Sequence, residues 1–514
     1  MAKPQPPPAM ATISCAPPAA SPWKKTFLIY GGTLLVAIWG ILQVIHQGQH
    51  LQSAAVVSAQ GVASVAASDH SILAALLENA QSPVSRLFLQ LAVIVIATRA
   101  VGALFAWKGL SIVVGEMFAG ILLGPSLLGH FAPNVSAYLF EPSSLGTLKL
   151  LSQTGVCLFM FVVGMEWDAT HLKNRAYTAV AVSHASIVLP FFLGVLASLG
   201  LYSTYAPEGT PFLPFSLFVG IAVSITAFPV LARILEERGI THTVLGVTAI
   251  TCAAVDDVTA WSLLALIVVI TRAGTWVSSI VSFGLVLVFV WVMVALIKPR
   301  LTAWLARHLG GSEGPSRGLL AAVLVFIFLA SLTTEILGIH ALFGAFLAGV
   351  IMPQNAAFRK AMTVRLEHFS SVFLLPLFFA FTGLRTQVGA FQDPTGWLTC
   401  LGIIAIATLG KLGGSMGAAM ATGMNKLDAF RLGALMNTRG LVELIALNIG
   451  YDLGILTPGI FTILVIMAMV TTLMTNPLMN LADYWERRQL RLAGVAAGGG
   501  AGAHVDLSSS ANNE

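Results

Sequence analysis

The chain has 514 residues, a mean hydropathy of +0.86, 57% hydrophobic residues and only 10% charged ones. Soluble domains carry roughly a quarter charged residues, so this composition excludes a soluble globular protein and identifies a polytopic membrane protein. The net charge of +5 and pI near 9.1 do not point to nucleic acid, because an excess of Lys and Arg in a membrane protein marks cytoplasmic loops.

Residues 1–25, rich in Pro, Ala and Ser, are expected to be disordered. Lys24 and Lys25 precede an apolar stretch at 26–46. A secretory signal is one reading; at close to 20 apolar residues the stretch is also long enough to span, and an uncleaved anchor helix is preferred. Residues 47–84, polar and Ala/Ser-rich, read as an external linker. From 85 to 484 apolar runs follow closely. Helices are expected near 86–107, 111–129, 146–165, 176–201, 214–235, 243–271, 276–297, 317–337, 339–353, 368–384, 395–423, 432–450 and 455–480. The fold class is therefore an all-α polytopic membrane protein with about 13 transmembrane helices, plus the N-terminal one. The Gly/Ala/Ser-rich tail, 485–514, is expected to be disordered and too short for a nucleotide-binding regulatory domain.

Basic residues fall on alternate connections: Arg99 and Lys108, Lys173 and Arg175, Arg233 and Arg238, Lys298 to Arg307, Arg359 to Arg365, Lys426 and Arg431, and Arg487 to Arg491. These connections and the C-terminus are expected on the cytoplasmic side, and the other side keeps only Arg86, Lys149, Arg272 and Arg385. The four cysteines, Cys15, Cys157, Cys252 and Cys400, are scattered without CxxC spacing, which predicts no structural disulfide and no zinc site.

The two halves echo each other. "GEMFAGILLGP" (115–125) resembles "GAFLAGVIMP" (344–353), "CLFMFVVGMEWD" (157–168) resembles "PLFFAFTGLRTQ" (376–387), and "SITAFPV" (224–230) sits where "MNTRGLV" (436–442) sits. By helix count the matching segments run in opposite directions, the inverted repeat of secondary transporters. Pro229 lies inside one predicted span, where a proline disrupts the helix. Its repeat partner has Asn437, Arg439 and Gly440 at the equivalent place. Both segments are candidate broken helices whose unwound groups, around Ala227, Phe228, Pro229, Asn437, Thr438 and Arg439, are expected to face each other at the midplane.

Two adjacent carboxylates, Asp256 and Asp257, follow the first broken helix, deep in an apolar run. Charges inside a membrane default to function. Neighbours on a helix point about 100° apart, so one can face a cavity while the other faces a neighbouring helix. Lys411, mid-span before the second broken helix, is the counter-ion that would offset the burial of a carboxylate. A carboxylate that holds either a proton or a monovalent cation is an exchanger, and oxygen ligands suit such cations. Thr226, Thr438 and Asn437 are candidates to supply them. Arg439 and Glu443, four residues apart, are expected to pair locally, with a possible gating role for Glu443. Glu116 reads as structural, and His184 and His340 read as satisfied histidines ahead of pH sensors.

At these residues the chain resembles the cation:proton antiporter-2 family, the sodium/hydrogen exchanger domain that includes bacterial potassium-efflux and sodium antiporters and plant cation/proton exchangers. The carrying motifs are "GEMFAGILLGPSLLG", "SITAFPVLARILEE", "TAITCAAVDDVTAW", "GIHALFGAFLAGVIMP", "LLPLFFAFTGLRT" and "LGALMNTRGLVELIALNIG", over roughly 110–480. The resemblance implies a mobile core domain, a static panel domain that dimerises, and elevator-like alternating access. It implies that Asp257 is the main ion- and proton-binding residue, that Asp256 pairs with Lys411, and that Thr226 lies at the crossover. Potassium-efflux relatives carry "QD" where this chain reads "DD".

The leading reading is a secondary transporter exchanging Na+ or K+ for protons, with a monovalent cation at Asp257. It is not an enzyme and needs no cofactor. Its partners are the cation, the proton, membrane lipid and a second copy of itself, with no nucleic acid. The expected location is a bacterial inner membrane, with a role in pH homeostasis. A channel-like pathway and a transport-dead sensor in the same fold remain as alternatives. An intramembrane aspartyl protease does not fit, because its two aspartates lie on separate helices, whereas Asp256 and Asp257 share one.

Overall fold

The computed structural model describes residues 79–166, 176–273, 276–308, 316–353, 355–390 and 394–498, with a few helical positions between 32 and 43. The expected disordered N-terminus, most of the anchor helix, nearly all of the linker, Lys173, Arg175 and the tail beyond 498 lie outside the described residues. The chain divides into two units, Met1–Gln81 and Ser82–Glu514. In the first, the described positions around 35–43 are helical and largely exposed. The second carries the helices that follow.

Hydrocarbon offers no partner to a peptide group, so an apolar chain crossing it satisfies its own backbone by forming helix. The principal helices are α1 (Pro83–Trp107), α2 (Ile112–Leu123), α3 (Pro142–Glu166), α4 (Ala176–Tyr205), α5 (Phe212–Ala222), α6 (Phe228–Glu237), α7 (Val244–Ala273) and α8 (Trp276–Trp291). They continue with α9 (Arg317–Ile336), α10 (Ala341–Val350), α11 (Ala356–Phe369), α12 (Leu375–Leu384), α13 (Pro394–Ala421), α14 (Lys426–Met436), α15 (Leu441–Asp452) and α16 (Pro458–Gly498). Among the described residues, ten stretches are long and apolar enough to cross a membrane. The fold is all-α and multi-pass, with two discontinuous helices, α5/α6 and α14/α15.

Each apolar segment predicted between 86 and 480 is helical in its described residues, but some boundaries differ for identifiable reasons. α2 stops at Leu123 rather than 129, since Pro125 cannot extend the helix. The helix expected from 368 starts at Ala356 and reaches α12 through a π-helical stretch at Ser370–Leu374. Arg359, Lys360 and Arg365 made its opening turns read as a loop. The π turn exposes the Ser371 and Val372 carbonyls, and Arg99 of α1 donates to both, at 3.1 and 2.9 Å. The tail expected to be disordered from 485 instead begins as helix, because α16 continues to Gly498.

Packing falls into two groups. In one, α1 lies on α2, α2 on α12, α12 on α3, and α3 on α10. In the other, α4 runs along α13, with α5, α7, α14 and α16 around them. The first group is joined by backbone-to-backbone seams of glycine. A Cβ on Gly120 of α2 would stand 2.5 Å from the Phe379 carbonyl oxygen of α12. One on Gly349 of α10 would stand 2.1 Å from the Phe161 carbonyl oxygen of α3.

Candidate functional site at the helix crossing

The two broken helices meet at their breaks. α5 ends at Ala222 and α6 resumes at Phe228; α14 ends at Met436 and α15 resumes at Leu441. The Ala227 backbone N–H donates to the Thr438 carbonyl at 3.0 Å. The Thr226 hydroxyl donates to the Met436 carbonyl at 3.0 Å. Gly440 allows this approach, since a Cβ there would lie 2.7 Å from Val230 Cγ2. Pro229 sits in the first turn of α6, where its missing N–H costs no hydrogen bond.

Four helix ends therefore converge: carbonyl ends of α5 and α14 and N–H ends of α6 and α15. Each end carries a partial charge and unpaired backbone groups. Arg439, from the second break, answers the carbonyl end of the first. Its Nη1 donates to the Ala222 carbonyl at 2.8 Å and its Nη2 to the Val223 carbonyl at 2.5 Å. Its expected contact with Glu443 is present but longer, 3.4 Å. The Thr472 hydroxyl of α16 accepts the Arg439 N–H at 3.0 Å and lies 2.9 Å from the Arg439 carbonyl. Arg439 and Glu443 are fully buried, and Glu443 Oε1 has no hydrogen-bond partner among the described residues. Thr438 donates to the Leu435 carbonyl at 2.5 Å. Asn437 donates to the Thr471 carbonyl at 3.4 Å, leaving its Oδ1 unpartnered.

α7 brings its two carboxylates to this crossing in different environments. Asp256 is fully buried, and its Oδ2 lies 3.0 Å from Lys411 Nζ. Its Oδ1 accepts from Ser186 at 2.9 Å and from Ser183 at 3.4 Å. Lys411 also donates to Thr226 Oγ1 at 2.5 Å and Ser186 Oγ at 3.4 Å. Both charges of this pair are thus hydrogen-bonded on every side that the burial of an ion demands. Asp257, one residue on, is 3% exposed and its Oδ1 has no hydrogen-bond partner among the described residues. One carboxylate is saturated by protein groups and its neighbour retains an open acceptor.

Asp256, Asp257, Thr226, Lys411 and the six expected crossover residues are gathered in one place. Glu116 instead stands 3.7 Å from Arg99, between α2 and α1. The exposed His184 ring lies 2.8 Å from its own helix carbonyl at Val180, and His340 precedes α10 in an unusual backbone conformation with φ of 102°. Sequence reasoning missed Ser183 and Ser186. Their spacing of three places them on one face of α4, a signal that an apolar helix with two such hydroxyls does carry. Thr472 was also missed, and a threonine that bonds its own helix leaves no such signal.

The chain's residues 71–481 match the family described as sodium/hydrogen exchanger, transmembrane. It is 42% identical over 387 residues to the Na(+)/H(+) antiporter NhaS4 of Synechocystis, covering 75% of this chain and 94% of that protein. It is 39% identical over 398 residues to cation/H(+) antiporter 19 of Arabidopsis thaliana and 30% identical over 412 residues to K(+)/H(+) antiporter 1 of Saccharomyces cerevisiae. The aligned parts cover 77% and 78% of this chain, and 49% and 46% of those longer proteins. Among solved structures, the sodium proton antiporter MjNhaP1 of Methanocaldococcus jannaschii aligns with 80% of this chain at a TM-score of 0.49 and 14% identity. The family is one of membrane transporters rather than enzymes. With its two broken helices crossing beside a pair of buried aspartates, and with the match running through all of them, the chain belongs to the sodium/hydrogen exchanger family of cation:proton antiporters.

Proposed function

We propose that this chain exchanges a monovalent cation, Na+ or K+, for protons by alternating access, and that Asp257 is the group that holds one or the other. The carrying observation is the unpartnered Oδ1 of buried Asp257 beside a fully partnered Asp256. A carboxylate with an open acceptor in a water-poor site is neutralised by a proton or by a hard cation, not by both. Asp256 and Lys411 keep a fixed, mutually compensated pair, and Thr226 ties that pair to the second break. Cation/proton exchange in the named relatives supports the class of substrate.

The same reading takes the chain through the membrane 13 times in two inverted repeats, with α8 as the link between them and the C-terminus in the cytoplasm. It places the protein in a bacterial inner membrane as a homodimer that serves pH homeostasis. Its sequence basis is the order of the three repeated motif pairs and the alternation of basic connections.

The test uses purified protein in liposomes with an imposed proton gradient and a pH-sensitive dye inside. Addition of Na+, K+ or Li+ in turn is expected to collapse the gradient for at least one cation. Asp257→Asn is expected to give folded protein without exchange. Since protons compete for the same carboxylate, the half-saturating cation concentration of the parent protein falls as pH rises. Normal exchange by Asp257→Asn overturns the assignment.

A further inference from the structure

α8 departs from the other spanning helices. The span it opens, Ile280–Arg307, has the highest mean hydropathy of the ten, 2.9, yet only 6% of its apolar window is buried. It does not close against its neighbours. Between α7, α8 and α10 lies a cavity of about 350 Å³, walled by Trp261 and Ala265 of α7, Leu287 and Val290 of α8, and Phe343 and Phe346 of α10.

The walls are a poor host for water. A buried water needs two to four polar partners. Ser262 and Thr334 also reach the cavity, but their hydroxyls are used by the Val258 and Ser331 carbonyls, at 2.8 and 3.0 Å. What remains to a water among the described residues is the Trp261 indole N–H and the lone pairs of these two hydroxyls, in a space that is otherwise apolar. A much smaller apolar cavity, about 150 Å³, stays dry and takes up apolar guests. An empty space of this size also leaves the lining atoms without dispersion partners, and few contacts hold α8 away from α7 and α10.

The occupant follows from what bathes α8. Leu287 and Val290 line the cavity while remaining 54% and 38% exposed, so the cavity opens along α8 to the medium outside. For a helix this apolar, that medium is bilayer hydrocarbon. We propose that the cavity holds an acyl chain of a membrane lipid, wedged between α7 and α10. Trp261 lies one helical turn from Asp257 on the same face of α7. The chain therefore packs against the helix that carries the buried carboxylates, and this placement stands whether or not exchange is the protein's activity.

Tryptophan emission tests it. The full-length protein is reconstituted in phosphatidylcholine nanodiscs whose acyl chains are brominated at mid-depth, and in unbrominated ones. The emission lost on Trp261→Phe isolates Trp261; Trp291→Phe isolates a 60% exposed reference. Bromine is expected to quench Trp261 by at least half, comparably to Trp291, although Trp261 is buried in the protein alone. Ala265→Phe, which fills the cavity, is expected to restore Trp261 emission at least twofold. Unquenched Trp261, quenching that persists in Ala265→Phe, or quenching by aqueous iodide, which would mean water in the cavity, each overturns the proposal. Should Trp261→Phe not fold, native mass spectrometry of the parent and Ala265→Phe proteins decides: one retained lipid fewer is expected, and equal numbers overturn it.

Discussion

The two broken helices reach the same geometry with different chemistry. The first break, residues 223–227, contains no charge and relies on others: Arg439 takes up its carbonyls and Lys411 reaches its Thr226. The second break, residues 437–440, supplies its own arginine, and Glu443 follows in the next turn. A second contrast lies on the helix that follows each break. α7 carries Asp257, whose Oδ1 finds no hydrogen-bond partner among the described residues, whereas α16 presents Thr472, which accepts the Arg439 N–H. A hydroxyl stays neutral, whereas a carboxylate is a group that can change charge. The second break thus holds itself and the first together, while the acceptor left open stands on the helix that follows the first.

Breaking the holding side should cost most. Arg439→Met leaves the Ala222 and Val223 carbonyls and Glu443 buried without their cation, for an expected loss of about 3–5 kcal/mol. Thermal unfolding of the purified protein in detergent, followed by size-exclusion chromatography, reads it as a large drop in midpoint or as aggregation. Asp256→Asn comes next, at about 3 kcal/mol, because Lys411 keeps its charge without a carboxylate. Here Ser183, Ser186 and Thr226 still offer oxygens, so folded protein with a lowered midpoint is expected. A midpoint equal to that of Asp257→Asn would dissolve the distinction between the two aspartates. Thr472→Val should cost about 1–3 kcal/mol by leaving the buried Arg439 N–H unpaired. The smallest effect is expected from Pro229→Ala, under about 1 kcal/mol, through the entropy of the unfolded chain. A collapse of stability in that variant would show that the proline, rather than the contacts around Ala227 and Thr438, holds the first break open.

Much of this was legible before any coordinates. Apolar periodicity located the helices, and Pro229, Asn437 and Gly440 marked both breaks, since each interrupts a span that has no solvent to repair it. Lys411 was legible as a partner because a lone mid-span lysine must find a carboxylate. The role of Arg439 was not. Sequence spacing offers Glu443 as its partner at i+4, but the unpaired carbonyls of α5 lie more than two hundred residues away in the chain and become visible only when the breaks cross. The start of α11 was hidden for the opposite reason, because its charges belong to an amphipathic turn and not to a loop.

The glycine seams carry a mechanical meaning. Where Gly120 and Gly349 let α2 touch α12 and α3 touch α10 main chain to main chain, no rotamer can flex to absorb a shift. Those four helices have no internal play and behave as one rigid frame. The second group uses the same device, since a Cβ on Gly414 of α13 would stand 2.6 Å from the Ala185 carbonyl oxygen of α4, so any stroke the molecule makes is taken up between the two groups rather than within either.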